Sequence, residues 1–221
     1  LTTLQEFALG GEWPYWDTWY PYELADMATV PGQPLALAVC RLGHGIAIYD
    51  SGVVRYNVMP ADGYWAIEVD ADGTLYGFDQ QAKSFYGCAV GEDGVNVREK
   101  YPPLAYSIGN DFKCAAGRLL TSAGRAVRLA PFGVEGVYSG SQSATLVEPD
   151  VRAGLVYYLA SANAQWQLNV YAMDSFDWLG SVTISNLLGT PSSLVRWGAD
   201  GLAFRTTSNQ LYLVRTGLGH P

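Results

Sequence analysis

The chain has 221 residues, of which 49% are apolar and only 15% charged, with 25 glycines and 13% aromatics. Charge this sparse is poor material for exposed helical faces, whereas glycine and aromatics at this level suit many short strands joined by tight turns. A net charge of -8, with 13 scattered Lys and Arg, excludes the basic stripe needed by a nucleic-acid or anionic-membrane partner, and no apolar run approaches the roughly 20 residues of a membrane-inserted segment.

The opening "LTTLQEFALGG" predicts a first strand. It leads into "EWPYWDTWYPYE", Glu12 to Glu23, which concentrates Trp13, Tyr15, Trp16, Trp19, Tyr20 and Tyr22. Pro14 and Pro21 rule out a regular helix there and argue against a long central strand. The segment 12–23 is therefore read as a surface loop, and Trp and Tyr are the residues that concentrate in binding hot spots. Three roles stay open: the rings seal one face of the fold, contact another protein, or stack on carbohydrate. Sugar sites usually add Asp, Asn or Arg beside the rings, and Glu12 and Asp17 are the local candidates.

Beyond the loop the chain repeats itself. Five segments share one plan of an apolar strand, a turn ending in glycine, and a second apolar strand: "LALAVCRLGHGIAIYDSG", "YWAIEVDADGTLYGFDQ", "SIGNDFKCAAGRLLTSAG", "SATLVEPDVRAGLVYYLA" and "SSLVRWGADGLAFRTTSNQ". The aligned glycines are Gly45, Gly73, Gly117, Gly154 and Gly201, at intervals of 28, 44, 37 and 47 residues. Glycine suits such a turn because it adopts positive φ without steric cost. Further strands follow in most units, such as "SFYGCAV", "GVNVREK", "QLNVYAM" and "WLGSVTI".

A period near 40 residues with about four strands per unit predicts an all-β fold, a β-propeller of short antiparallel four-stranded blades spanning residues 1–221. A β-sandwich is the rival architecture. The 28-residue interval predicts one abbreviated unit. The last unit stops at "GLGHP", one strand short of a blade, and the opening strand would complete it or belong to a preceding blade.

Groups with chemical potential are few. His44 lies in a hairpin turn and His220 at the end of the sequence, neither with a triad signature, so no catalytic residue is assigned. Cys40, Cys88 and Cys114 sit in apolar runs and read as buried thiols, with one disulfide and a leftover thiol as the alternative. "DADGT" places Asp70 and Asp72 like the start of a calcium loop but continues into a strand, so a hairpin turn is the better reading. "RWGADG" sets Arg196 beside Trp197 at the end of an innermost-type strand. That pair would either hold an anionic or sugar ligand or bridge two blades. No cofactor and no metal site are expected.

Three stretches carry a family resemblance: "ELADMATVPGQPLALAVCR" with "GIAIYDSGV" (23–53), "NDFKCAAGRLLTSAGRAV" (110–127) and "TPSSLVRWGADGLAFRT" (190–206). They resemble bacterial exported YVTN-type β-propellers, loosely grouped with quinoprotein amine dehydrogenase β-chain-like propellers. Arg196, Trp197, Gly198, Asp200, Gly201, Phe204 and Arg205 form the most specific part. The resemblance implies the C-terminal half of a larger ring, as against a closed five-bladed one, and an extracytoplasmic location. One departure is visible, since such proteins continue after "SAGRAV" with an Asp-Pro turn and this chain reads "RLAPF". The expected function is a non-catalytic interaction or structural module whose partners are other protein subunits, with the loop 12–23 as contact. A carbohydrate-binding propeller and a quinoprotein-like enzyme are the alternatives.

Overall fold

The computed structural model describes residues 6–12, 18–60, 65–141, 144–162, 165–198 and 201–217. Every regular element among them is a β-strand. The strands form one two-stranded ladder and five antiparallel sheets, each made of strands consecutive in sequence. Two compact units divide the chain, residues 1–106 and 107–221.

The first unit opens with β1 (Gly11–Glu12) paired to β2 (Tyr20–Pro21). Its first sheet runs in order β3 (Leu24–Thr29), β4 (Ala36–Arg41), β5 (Gly45–Asp50) and β6 (Val53–Val54). The second is β7 (Trp65–Val69), β8 (Thr74–Asp79), β9 (Ser84–Gly91) and β10 (Gly94–Lys100). Side chains alternate across a strand, so β4 sends Ala36, Ala38 and Cys40 into a core shared with Ile67, Leu75 and Cys88 of the second sheet. Its other face, with Leu37 and Val39, packs with Ala47, Tyr49 and Leu9. Burial on both faces is why "LALAVC" reads as continuously apolar.

The expected opening strand falls only partly within the described residues. Residues 6–10 carry no strand, and residues 1–5 lie outside the described residues. Phe7 stacks on Tyr49 with ring centroids 5.6 Å apart, and the Tyr49 hydroxyl donates to the Leu9 carbonyl at 2.6 Å. Residues 6–10 thus lie as an irregular cover on the first sheet, held by these side-chain contacts and, at Gly10, by the Tyr22 backbone N–H at 2.9 Å.

The second unit holds β11 (Phe112–Ala115), β12 (Arg118–Thr121), β13 (Arg125–Leu129) and β14 (Phe132–Val137) as the third sheet. The fourth is β15 (Ala144–Asp150), β16 (Leu155–Ala162), β17 (Gln165–Ala172) and β18 (Trp178–Ile184). The fifth has three strands, β19 (Pro191–Trp197), β20 (Gly201–Thr206) and β21 (Leu211–Arg215). Between the third and fourth sheets sit three buried tyrosines, Tyr138, Tyr158 and Tyr171, with ring centroids 5.3–5.6 Å apart. Tyr138 donates to the Met173 carbonyl at 3.0 Å and Tyr171 to the Ser139 carbonyl at 2.8 Å. Leu159, Leu168, Leu194, Leu202 and Phe204 fill the core between the fourth and fifth. The departure at "RLAPF" is the tight β13–β14 turn, where the Ala130–Pro131 peptide bond is cis.

The glycine repeat holds in three units, where Gly73, Gly117 and Gly154 take φ of +82°, +73° and +66° in the hairpin between the first two strands. The first and last units differ. Gly45, at φ +87°, joins the second and third strands of its sheet, and the turn equivalent to the others is that of Gly32, at φ +74° between β3 and β4. Gly32 precedes Gly73 by 41 residues, so the short interval is one strand of misregister and the first unit has its four strands. In the fifth sheet Gly198 supplies the positive φ, +63°. Gly201 instead starts β20, where a Cβ would come 2.8 Å from the Trp197 carbonyl oxygen.

Neighbouring sheets are also clasped through their first strands. Asp26 of β3 accepts the Ile67 backbone N–H of β7 at 2.9 Å, and Glu148 of β15 accepts the Arg196 N–H of β19 at 3.0 Å. Two arginines add side-chain contacts. Arg55 donates to both Asp50 carboxylate oxygens at 2.7 and 2.8 Å, to Gln33 at 2.7 Å and to the Gly91 carbonyl at 2.6 Å. Arg118 joins Glu135 and Asp174 at 2.8 and 2.7 Å.

Candidate functional site

The aromatic stretch is less irregular than its prolines suggest. Its ends pair as a ladder, Gly11 opposite Pro21 and Glu12 opposite Tyr20, which Pro21 tolerates because the strand has only two residues and lies at an edge. Trp13, Tyr15 and Trp16 lie outside the described residues. One face of the ladder turns toward the first sheet. Glu12 brings Oε2 to 3.6 Å from His44 Nδ1 in the β4–β5 turn, an ion pair whenever the imidazole is protonated. Tyr22 places its ring 4.6 Å from that of His44 and 4.5 Å from the Arg41 guanidinium. Arg41 is only 7% exposed, donates from Nη2 to the His44 carbonyl at 2.7 Å, and leaves Nε without a partner. A largely desolvated cation under an aromatic face contributes about 2 kcal/mol, so Tyr22 is the fastening and not part of the free surface.

By strand alternation Trp19 points to the opposite face. Its ring rests on Gly11, where a Cβ would come within 2.7 Å of it, and it is still 46% exposed, with Tyr20 at 53%. Glycine at position 11 is therefore what lets the indole lie close against the backbone.

Arg196 and Trp197 end β19 as expected, and the arginine bridges the fourth and fifth sheets, the structural one of its two expected roles. Nη2 lies 2.8 Å from Asp150 Oδ2, Nη1 donates to the Gly201 carbonyl at 2.9 Å, and the guanidinium stands 5.8 Å from the Tyr157 ring. Trp197 is half-exposed. Asp70 turns its Oδ1 onto the backbone N–H groups of Asp72 and Thr74, both at 2.9 Å, which is the hydrogen bonding of a hairpin turn. Among the described residues no group of three His, Cys, Asp or Glu could hold a metal ion.

None of the three cysteines forms a disulfide: Cys40 and Cys88 are buried, Cys114 partly so. Cys88 donates to Met59 Sδ at 3.5 Å, and burial pushes its pKa up to about 11, so it is no nucleophile. His220 lies outside the described residues.

No protein-family model and no curated protein matches the chain. Solved structures do. A protein of unknown function from Bacteroides caccae superposes with a TM-score of 0.64 at 12% identity, covering 90% of this chain and 81% of that one. Virginiamycin B lyase from Staphylococcus aureus gives 0.61 at 12%, covering 87% and 69%. Hydrazine synthase from Kuenenia stuttgartiensis gives 0.61 at 11%, covering 84% of this chain, which spans 56% of that one. The fold is that of a β-propeller.

The five sheets are therefore blades, and β3, β7, β11, β15 and β19 are the first strands of each. Identities this low carry the architecture alone; two of these neighbours are enzymes and one has no known function. The sequence reading missed the Asp26 and Glu148 clasps and the Arg41–Tyr22–His44–Glu12 cluster. Only "LAD" and "LVEPD", a carboxylate inside each first strand, signalled the clasps. The cluster unites residues up to 32 positions apart and has no local signature.

Proposed function

We propose that the protein is a non-catalytic propeller that acts as an interaction module, with the aromatic hairpin around Trp19 as its contact surface. The observation that carries this reading is the half-exposed Trp19 ring seated on Gly11, in a ladder fastened to the first blade by Tyr22 and Arg41. A rigid aromatic anchor loses little conformational entropy on binding, which suits a protein-binding hot spot. Within the ladder itself Glu12 is turned to the fastened side, against His44 of the β4–β5 turn, so the face around Trp19 suits an apolar protein surface better than sugar hydroxyls. The partner is another subunit of an extracytoplasmic assembly, a reading that follows the resemblance to exported YVTN-type propellers. In that resemblance the chain corresponds to the C-terminal part of a larger propeller.

The test is capture of a discrete protein partner from cell-envelope extracts by the immobilised chain. Replacing Trp13, Trp16 and Trp19 by Ala abolishes capture while the melting temperature stays unchanged. Capture undiminished in the folded triple variant overturns the reading.

A further inference from the structure

The second blade carries a cleft of about 250 Å³ lined by Thr74, Tyr76, Gly87, Ala89, Arg98, Glu99 and Tyr101, with Cys88 behind it. Its origin lies in the side-chain sizes along three strands. On one face of the sheet Tyr76 of β8, Gly87 of β9 and Glu99 of β10 stand in a row, with Thr74 opposite Ala89 in the next. The central strand thus offers only Gly and Ala between larger neighbours, and the face is hollow there. The Tyr76 and Tyr101 rings close over the glycine, each within 3.7 Å of where its Cβ would be. A register shift between Val97 and Glu99 makes Arg98 an extra residue and bends the rim; such bulges redirect side chains beside functional sites.

The chemistry of the lining is mixed in a particular way. Two tyrosine rings, both from buried residues, form the floor, while exposed Arg98 and Glu99 place a donor fork and a carboxylate acceptor at one edge. Burial, with the Glu99 carboxylate beside it, raises the Tyr101 phenol to about 12 and keeps it protonated. A wholly apolar ligand would desolvate the charged edge without return. Arg98 opposes a cation and Glu99 opposes an anion. A flat ring with apolar C–H faces and neighbouring hydroxyls satisfies both the floor and the edge. The volume, below that of pockets for drug-sized ligands, admits one such ring.

We propose that this cleft binds one neutral pyranose unit of a saccharide, with Tyr76 and Tyr101 beneath the ring and Arg98, Glu99 and Thr74 on its hydroxyls. The site is separate from the aromatic hairpin and does not depend on the protein-contact reading. It is tested on the whole chain by calorimetric titration with maltotriose, cellotriose, mannotriose and chitotriose. Tetramethylammonium and acetate serve as probes of other ligand classes. Saturable binding of at least one trisaccharide is expected. Arg98→Gln and Glu99→Gln each weaken it by about tenfold, a typical loss for one charged hydrogen bond, with no change in melting temperature. Gly87→Leu pushes the two rings that cover the glycine into the cleft and abolishes binding, and Trp19→Ala leaves it intact. The proposal is overturned if no trisaccharide saturates, if only tetramethylammonium or acetate binds, or if sugar affinity survives in both Gln variants.

Discussion

Glycines that look alike in the sequence differ widely in what they cost to replace. Gly94 has φ +131°, and a Cβ there would collide with the Asn57 backbone, with which Gly94 forms a parallel bridge. Gly32 has φ +74° and open space around it. Gly94→Ala is expected to cost about 3 kcal/mol or more, and Gly32→Ala only about 1 kcal/mol for the left-handed conformation, both read from urea midpoints. The carboxylate clasps offer a second comparison. Asp26→Ala strands the Ile67 N–H and Glu148→Ala the Arg196 N–H. Each should lose about 1–3 kcal/mol, and a loss under a few tenths would mean that water replaces the carboxylate.

At the level of strands, legibility depended on burial. β4 and β5 are buried on both faces and stood out as apolar runs, so they were aligned with the first hairpin of every other unit. The true first strand, β3, exposes Leu24, Met27 and Thr29 and carries Asp26. It therefore lacks the apolar pattern that marks a strand in a sequence. The period survived this slip because four of the five turns were correctly spaced. The cleft of the second blade was not legible at all, because Gly87 and Ala89 make a hollow only when Tyr76 and Glu99 are set beside them by register.

Two titrations follow, one from an ion pair within the first blade and one from tyrosines buried between two blades. The Arg55 hydrogen bonds hold Asp50 below the ordinary value of 3.8. A lowered folded-state value stabilises above 3.8, and this contribution is lost as pH falls from there through the folded value. In wild type the urea midpoint should therefore drop below about pH 4, and Arg55→Gln should remove that part of the drop. The tyrosines between the third and fourth blades respond at the other end. Burial holds Tyr138, Tyr158 and Tyr171 above the ordinary value of 10.0. Unfolded chains shed these protons near pH 10 while the folded protein keeps them, so stability falls as pH rises beyond 10. Tyrosinate absorbance of these residues should appear together with loss of the β-sheet circular dichroism, and a gradual rise in a still-folded protein would contradict their burial.

For the molecule as a whole, the cysteines form a built-in set of reporters. Cys40 and Cys88 lie in the first unit and Cys114 in the second. Under native conditions a thiol reagent should modify Cys114 first, and reductant should leave the melting temperature unchanged because none of the three is in a disulfide. Labelling of Cys88 in increasing urea should track the loss of circular dichroism.

The construction of each blade from consecutive strands has a kinetic side. Every strand in the five sheets pairs only with its immediate predecessor or successor in the chain, so contact order is low for an all-β protein. Loop closure is then a small entropic barrier at each step. A blade can pair its strands as it leaves the ribosome, without waiting for distant segments, which shortens the time its edges stay unpaired and open to aggregation. The same locality makes the connections between blades, such as the one between β10 and β11, the places where a whole blade could be duplicated or removed without leaving a strand unpaired.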